Sequence, residues 1–285
     1  MILQEKYSLN NGITIPKVGF GTWMIDDDAV VQAVKDALEI GYRHIDTAQA
    51  YGNERGVGEA IRTSGIDRSD IFLTSKVAAE HKTYETAAKS IDESLEKLGL
   101  ETIDLMIIHA PQPWDEFREA NYDEGNIAAW HALEDAVKDG KVHAIGLSNF
   151  NQHDVENILK HATIKPAVNQ ILAHISNTPF ELIDFCKQNN ILVEAYSPVG
   201  HGELMKNAEV KKMAKKYEVS VPQLAIQYCL ELGLLPLPKS VNKDHIKTNG
   251  ELGFHISKED MDVLMKIKAI DNYGDYNNFP VYSKK

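Results

Sequence analysis

Four polar side chains stand at or just beyond the ends of short apolar runs: Asp46, Lys76 and His109, with Tyr51 five residues after the aspartate. Together they suit the protonation of an alkoxide. Hydride delivery to a carbonyl carbon leaves charge on the oxygen, and a tyrosine hydroxyl can supply the missing proton. An ordinary pKa of about 10 makes a phenol a reluctant acid at neutral pH. A neighbouring ammonium favours the phenolate and lowers that pKa, so Lys76 is the natural tuning charge. A lysine in a partly dry site sheds its own proton unless paired, and Asp46 can keep it charged. His109 can hydrogen-bond the carbonyl oxygen and orient it for attack. Each residue alone has a plainer reading: a loop cap, a solvated strand end, a satisfied core histidine. Only their convergence favours chemistry.

Convergence requires elements that bring them to one rim. Short β-branched runs at 18–21, 44–46, 71–76, 103–109, 144–148, 167–170, 192–196 and 234–239 alternate with longer amphipathic stretches. Residues 103–108 and 191–193 are nearly unbroken apolar runs, as in strands buried on both faces. Val30, Ala33, Val34, Ala37 and Leu38 share a helical face that acids at 26–28 introduce and Gly41 stops. Ala87, Ile91, Leu95 and Leu98 repeat in the same way up to Gly99, and Val155, Ile158 and Leu159 make a shorter stripe. Leu224, Tyr228 and Leu232 follow a start signal at Ser220 and Pro222. All are read as core stripes. Strand then helix, eight times, predicts an α/β fold, a (β/α)8 TIM barrel, with residues 1–285 as one domain. Alternation around Asn11-Gly12 predicts an N-terminal β-hairpin capping the barrel bottom. In such barrels chemistry sits at the C-terminal ends of the strands, where Asp46, Lys76 and His109 fall. The tail from Asp271, rich in Tyr, Asn and Gly without a period, reads as a loop able to serve as a lid.

Composition narrows the function classes. The chain has 285 residues, with 30 Lys and Arg against 42 Asp and Glu, a formal net charge of −12. That balance opposes a dedicated nucleic-acid binder, which needs clustered cations, and an anionic membrane surface as partner. A small anionic ligand needs only a local cationic pocket. Cys186 and Cys229 form no C-x-x-C and read as reduced core thiols. The N-terminus lacks a signal-peptide pattern, and no apolar run approaches the roughly 18 residues of a membrane span, so a cytoplasmic protein is expected. Several motifs fail. Gly19-Phe-Gly-Thr-Trp-Met24 and Gly56-Val-Gly-Glu-Ala-Ile61 lack the third glycine of a dinucleotide loop. Gly146-Leu-Ser-Asn-Phe150 has Phe where a nucleophile elbow needs Gly. His44-x-Asp46 hints at a metal-dependent barrel hydrolase, but no H-x-H pair or H-E-x-x-H accompanies it, and no catalytic metal is expected.

Gly41-Tyr-Arg-His-Ile-Asp46-Thr-Ala48, followed by Glu54-x-x-Val57-Gly58, resembles the first signature of the aldo-keto reductase family. Ile145-Gly-Leu-Ser-Asn-Phe150 resembles the second, with His143 where Lys or Arg is common. The resemblance implies a catalytic tetrad of Asp46, Tyr51, Lys76 and His109, and NADPH extended across the barrel mouth, NADH being admitted as a second donor. By the same resemblance Ser148, Asn149 and Gln170 would hydrogen-bond the nicotinamide carboxamide, and Tyr196 would stack on its ring. Ser197 and the backbone around Val199 would face the pyrophosphate. Leu237-Pro-Lys239-Ser240-Val241 matches the loop for the adenosine 2′-phosphate, with Asn249 near the adenine. His245 stands where Arg is usual and lacks its always-charged planar fork, so a softened preference for NADPH over NADH is expected. Trp23 and Trp114, with Tyr51 and His109, would line the substrate pocket. The activity implied is reduction of aldehydes and ketones (small aldehydes, α-dicarbonyls, keto sugars), with a monomer as the default state. The other class on this fold is a binding subunit that senses nicotinamide nucleotides.

Overall fold

The computed structural model describes residues 1–283. Strands β1 (Lys6–Ser8) and β2 (Thr14–Pro16) pair antiparallel across Asn11-Gly12. Eight more follow: β3 (Phe20–Gly21), β4 (His44–Asp46), β5 (Phe72–Val77), β6 (Ile103–Ile108), β7 (Val142–Ser148), β8 (Val168–Leu172), β9 (Leu192–Tyr196) and β10 (Leu235–Leu237). They lie parallel and in sequence order. The helices are α1 (Asp27–Ile40), α2 (Glu54–Arg62), α3 (Tyr84–Leu98), α4 (Asp123–Lys138), α5 (Gln152–His161), α6 (Phe180–Gln188), α7 (Ala208–Lys216), α8 (Val221–Glu231), α9 (Lys243–Gly250) and α10 (Lys258–Leu264). The fold is the expected (β/α)8 barrel. Among the described residues, no helix is long and apolar enough to cross a membrane.

The barrel closes between β10 and β3. The N–H groups of Gly19 and Gly21 donate to the carbonyls of Pro236 and Pro238 at 3.1 and 3.0 Å. Pro238 has no N–H to return to Gly19, which is why β3 is shorter than the run 18–21 suggested. The approach is tight: a Cβ at Gly19 would lie 2.5 Å from Leu237 Cδ2 and 2.6 Å from His44 Nδ1.

Two cores hold this shell. The larger lies between strands and helices and contains every predicted stripe, with Val30, Val34, Ile91, Leu98, Ile158 and Leu224 at its centre. The smaller fills the barrel interior, where Leu105, Ile107, Val168 and Leu235 meet Leu9 and Ile15 of the hairpin. The hairpin plugs the bottom as expected. Its tip is tied across the barrel floor by Asn10 to Pro166 O at 2.8 Å, Asn11 to His143 O at 3.3 Å and Tyr7 to Leu234 O at 3.3 Å. Cys186 and Cys229 are free and buried. One local expectation changes. Asp26 precedes α1 but makes no side-chain cap; Asp27 instead reaches α2, taking the Gly56 N–H at 2.8 Å and the Arg55 guanidinium.

Candidate active site

Strand register places the polar residues. Asp46 ends β4, Lys76 lies near the end of β5, and His109 follows β6 directly. Tyr51 sits on a helical turn, Gln49–Tyr51, after β4. Gln49 pins that turn to α3 through Ser90 O and Ser94 Oγ, both at 2.9 Å, and to β5 by accepting the Ala78 N–H at 2.8 Å. Asn53 holds the turn's far end, donating to Thr22 O and Ile25 O at 3.0 and 2.9 Å.

The Lys76 ammonium is fully buried and donates to Asp46 Oδ1 at 2.7 Å, Thr47 O at 2.8 Å and Tyr51 Oη at 3.3 Å. Burial alone would strip its proton. The charge of Asp46 and the contacts with Tyr51 outweigh it and hold Lys76 above the ordinary lysine value. Tyr51 departs from the simplest expectation. Burial and the charge of Asp46 raise its pKa, Lys76 lowers it, and burial wins. The ammonium therefore acts against a desolvated phenol rather than a free one.

His109 lies edge-on to Tyr51, ring centroids 5.6 Å apart, and to Trp114 at 5.2 Å. Burial, Lys76 and Lys82 hold its pKa well below the ordinary histidine value, so the imidazole is neutral. Nδ1 is buried without a partner among the described residues. A lone pair tolerates that situation better than an N–H, so the tautomer carrying its proton on Nε2 is favoured.

Across the barrel, register aligns Ser148 on β7 with Gln170 on β8, and Gln170 with Glu194 on β9. Gln170 Nε2 donates to Asp46 Oδ2 and to Glu194 Oε2, both at 2.8 Å. Burial and the nearby Asp46 charge push the Glu194 carboxyl up to about 8. Asn149, with φ of +62°, turns its side chain under the rim, donating to His109 O at 3.0 Å and Ser148 Oγ at 3.1 Å. Its Oδ1 accepts the Tyr196 hydroxyl at 2.7 Å.

A cleft of about 1020 Å³ runs over this rim. Its lining includes Trp23, Tyr51, His109 and Trp114 as well as Lys239, Ser240, His245 and Asn249. Asp46, Ser148, Asn149, Gln170, Tyr196, Ser197 and Val199 also line it, with Lys76 buried beneath Asp46 and Tyr51. Every sequence-predicted site residue thus lies on or under one cleft except Val241, which is 61% exposed and outside the lining, because the chain turns outward after Ser240 to start α9. A cleft of this volume with a lysine in its lining suits a phosphorylated dinucleotide. Lys239 makes no ion pair among the described residues, which leaves its charge for a ligand. Among the described residues, no cluster of His, Cys, Asp or Glu could hold a metal ion.

Two features of the site escaped the sequence reading, the seat of the tail and the buried Glu194. The tail folds over the mouth: Phe279 and Tyr282 pack on Trp23 at 5.0 and 6.2 Å, and Tyr276 stacks on His201 at 3.7 Å. Tyr282 Oη lies 2.8 Å from Ser197 Oγ. The tail's tyrosine content was visible, but its docking site was not. Glu194 also escaped, although a carboxyl interrupting the apolar run 191–196 was signal enough.

This geometry has counterparts. Residues 17–269 match the model of the aldo/keto reductase family. The chain is 40% identical over 274 residues to a glyoxal reductase of Bacillus subtilis, covering 95% of this chain and 96% of that one. It is 38% identical over 283 residues to a glycerol 2-dehydrogenase (NADP(+)) of Saccharomyces cerevisiae, covering 91% and 89%. A crystal structure of a Bombyx mori aldo-keto reductase in complex with NADP superposes with a TM-score of 0.85 at 32% identity, covering 98% of each chain. Matched in sequence over most of its length and in the path of its backbone, the chain belongs to the aldo-keto reductase family.

Proposed function

We propose that this protein reduces aldehydes and ketones with NADPH, taking small aldehydes, α-dicarbonyls and keto sugars. The observation that carries the reading is the buried Lys76 ammonium, bonded at once to Asp46 and to Tyr51 on the floor of the cleft. When bound, the dihydronicotinamide supplies a hydride. The chain's own residues do the rest. The Nε2 hydrogen of His109 binds the substrate carbonyl oxygen and aims it. Tyr51 donates its hydroxyl proton to that oxygen as negative charge builds there. Lys76 stabilises the phenolate left behind, and Asp46 keeps Lys76 charged. Trp23 and Trp114 wall the substrate side, favouring compact carbonyl compounds.

Ser148, Asn149 and Gln170 would receive the carboxamide and Tyr196 the nicotinamide ring. Ser197 and Val199 would meet the pyrophosphate. Lys239 and Ser240 would hold the 2′-phosphate, with His245 and Asn249 around the adenosine. Lys239 offers a point charge and His245 no permanent one, which supports a modest preference for NADPH over NADH. His245→Arg is expected to tighten NADPH about tenfold and leave NADH nearly unchanged, read as dissociation constants. The test of the reading is loss of NADPH absorbance with glyoxal, methylglyoxal, an aromatic aldehyde and a keto sugar. No turnover with any of them, in protein shown to bind NADPH, would favour a nucleotide-binding subunit.

A further inference from the structure

We propose that Glu194 is a positioning residue for the cofactor: through Gln170 it fixes which atom of the amide faces the nicotinamide carboxamide. The proposal rests on the NADPH reading above. A glutamine amide carries two N–H donors and one carbonyl acceptor. Both donors of Gln170 are used, one by Asp46 on β4 and one by Glu194 on β9, each at 2.8 Å. The reverse orientation would set Oε1 against the Asp46 carboxylate, acceptor against acceptor. Oε1 takes no hydrogen bond from the described residues and is not sealed off, and Gln170 lines the cleft. A ligand can therefore only donate to Gln170. A carboxamide must present its NH2 there, which sets the flip of the group.

Glu194 has no other visible task. It is fully buried, pairs with no cation among the described residues, and leaves Oε1 unpartnered. An apolar side chain in its place would spare the desolvation of a carboxyl group. Its raised pKa means it offers an acceptor at neutral pH without a second full negative charge beside Asp46. Asp46 is already oriented by Lys76 through its other oxygen. Removing Glu194 would leave one Gln170 hydrogen with no buried acceptor and the amide held by Asp46 alone.

The test compares two ligands: NADP+, and 2′-phospho-ADP-ribose, which keeps the adenosine and pyrophosphate but lacks the nicotinamide. Glu194→Leu is expected to weaken NADP+ about tenfold while the nicotinamide-free ligand binds within about twofold of the parent. Glu194→Gln keeps an acceptor at the same reach and is expected to restore NADP+ to within about threefold. Glu194→Ala serves if the leucine variant does not fold. NADP+ affinity unchanged in the apolar variants would overturn the proposal. So would equal weakening of both ligands, which marks a packing defect, or a glutamine variant no better than leucine. A parent that binds neither ligand would overturn the cofactor reading and this proposal with it; a parent that binds both, with no split among variants, overturns this proposal alone.

Discussion

In the proposed role a phenol is useful as an acid only because its neighbours work against its burial. Tyr51 is held above the ordinary tyrosine value by desolvation, and the Lys76 ammonium stands 3.3 Å away. General acid catalysis contributes about 10²–10⁴ in rate. Tyr51→Phe is therefore expected to lower kcat for carbonyl reduction by that range, with the NADP+ dissociation constant within about threefold of the parent; full activity would remove Tyr51 from its role. Lys76→Met tests the tuning charge. It should lower kcat at least about 100-fold and shift the pH–rate profile, because the phenolate loses its counter-charge. It should also destabilise the fold by about 3–5 kcal/mol, since Asp46 is left buried without its ion-pair partner. A parent-like profile from Lys76→Met would mean that another group sets the acidity of Tyr51.

At the scale of elements, the barrel strands carry the polar residues, whereas the tail walls the cleft from outside the barrel. Tyr282 anchors the tail by its hydroxyl on Ser197 Oγ and by its ring against Trp23. His201 Nε2 stands 3.1 Å from the same serine oxygen. A pyrophosphate reaching Ser197 must displace these contacts. Tyr282→Phe keeps the ring packing and removes the competing hydroxyl, so NADP+ association is expected to quicken about fivefold in stopped-flow fluorescence. An unchanged rate would show that the tail stands clear of the entry path. At its other end the tail docks by Tyr273, whose hydroxyl lies 3.0 Å from His174 Nε2. Nδ1 of that histidine faces Ile175 O and must donate to it, so Nε2 accepts from the tyrosine.

Over the whole molecule, buried neutral histidines set the acid limit of stability. Burial lowers His44 to about 3 and His174 to about 4, and takes His109 well below its ordinary value. Between those values and about 6.5 the unfolded chain binds these protons and the fold does not, so stability falls as pH drops. Glu194 opposes them, because it is protonated in the fold up to about 8 but ionises above 4.5 when unfolded. With His201, also lowered to about 4, four histidines stand against Glu194 and the likewise raised Glu54, a net loss on acidification at about 1.4 kcal/mol per pH unit for each net proton. The urea midpoint is expected to be lower at pH 5 than at pH 6.5, by about 2–4 kcal/mol of stability. A higher midpoint at pH 5 would contradict that account.

Periodicity and residue type determined most of the framework before any coordinate. Alternating apolar runs and helical stripes can be buried together only as parallel strands wrapped in helices, so the barrel and its hairpin plug were legible. So were Asp46, Tyr51, Lys76 and His109, because each sits where a strand hands over to a loop. Local pattern says nothing of what meets across the barrel. That Gln170 reaches Asp46, 124 positions away in the chain, follows from closure and register, as does its second bond to Glu194. The same holds for the tail: its tyrosines were visible, but their seat on Trp23 and Ser197 depends on loops after β3 and β9 being neighbours at the mouth. Even the acidity of Tyr51 was half legible. The cation beside it could be read from residue type, whereas the burial that outweighs that cation exists only once the barrel is closed.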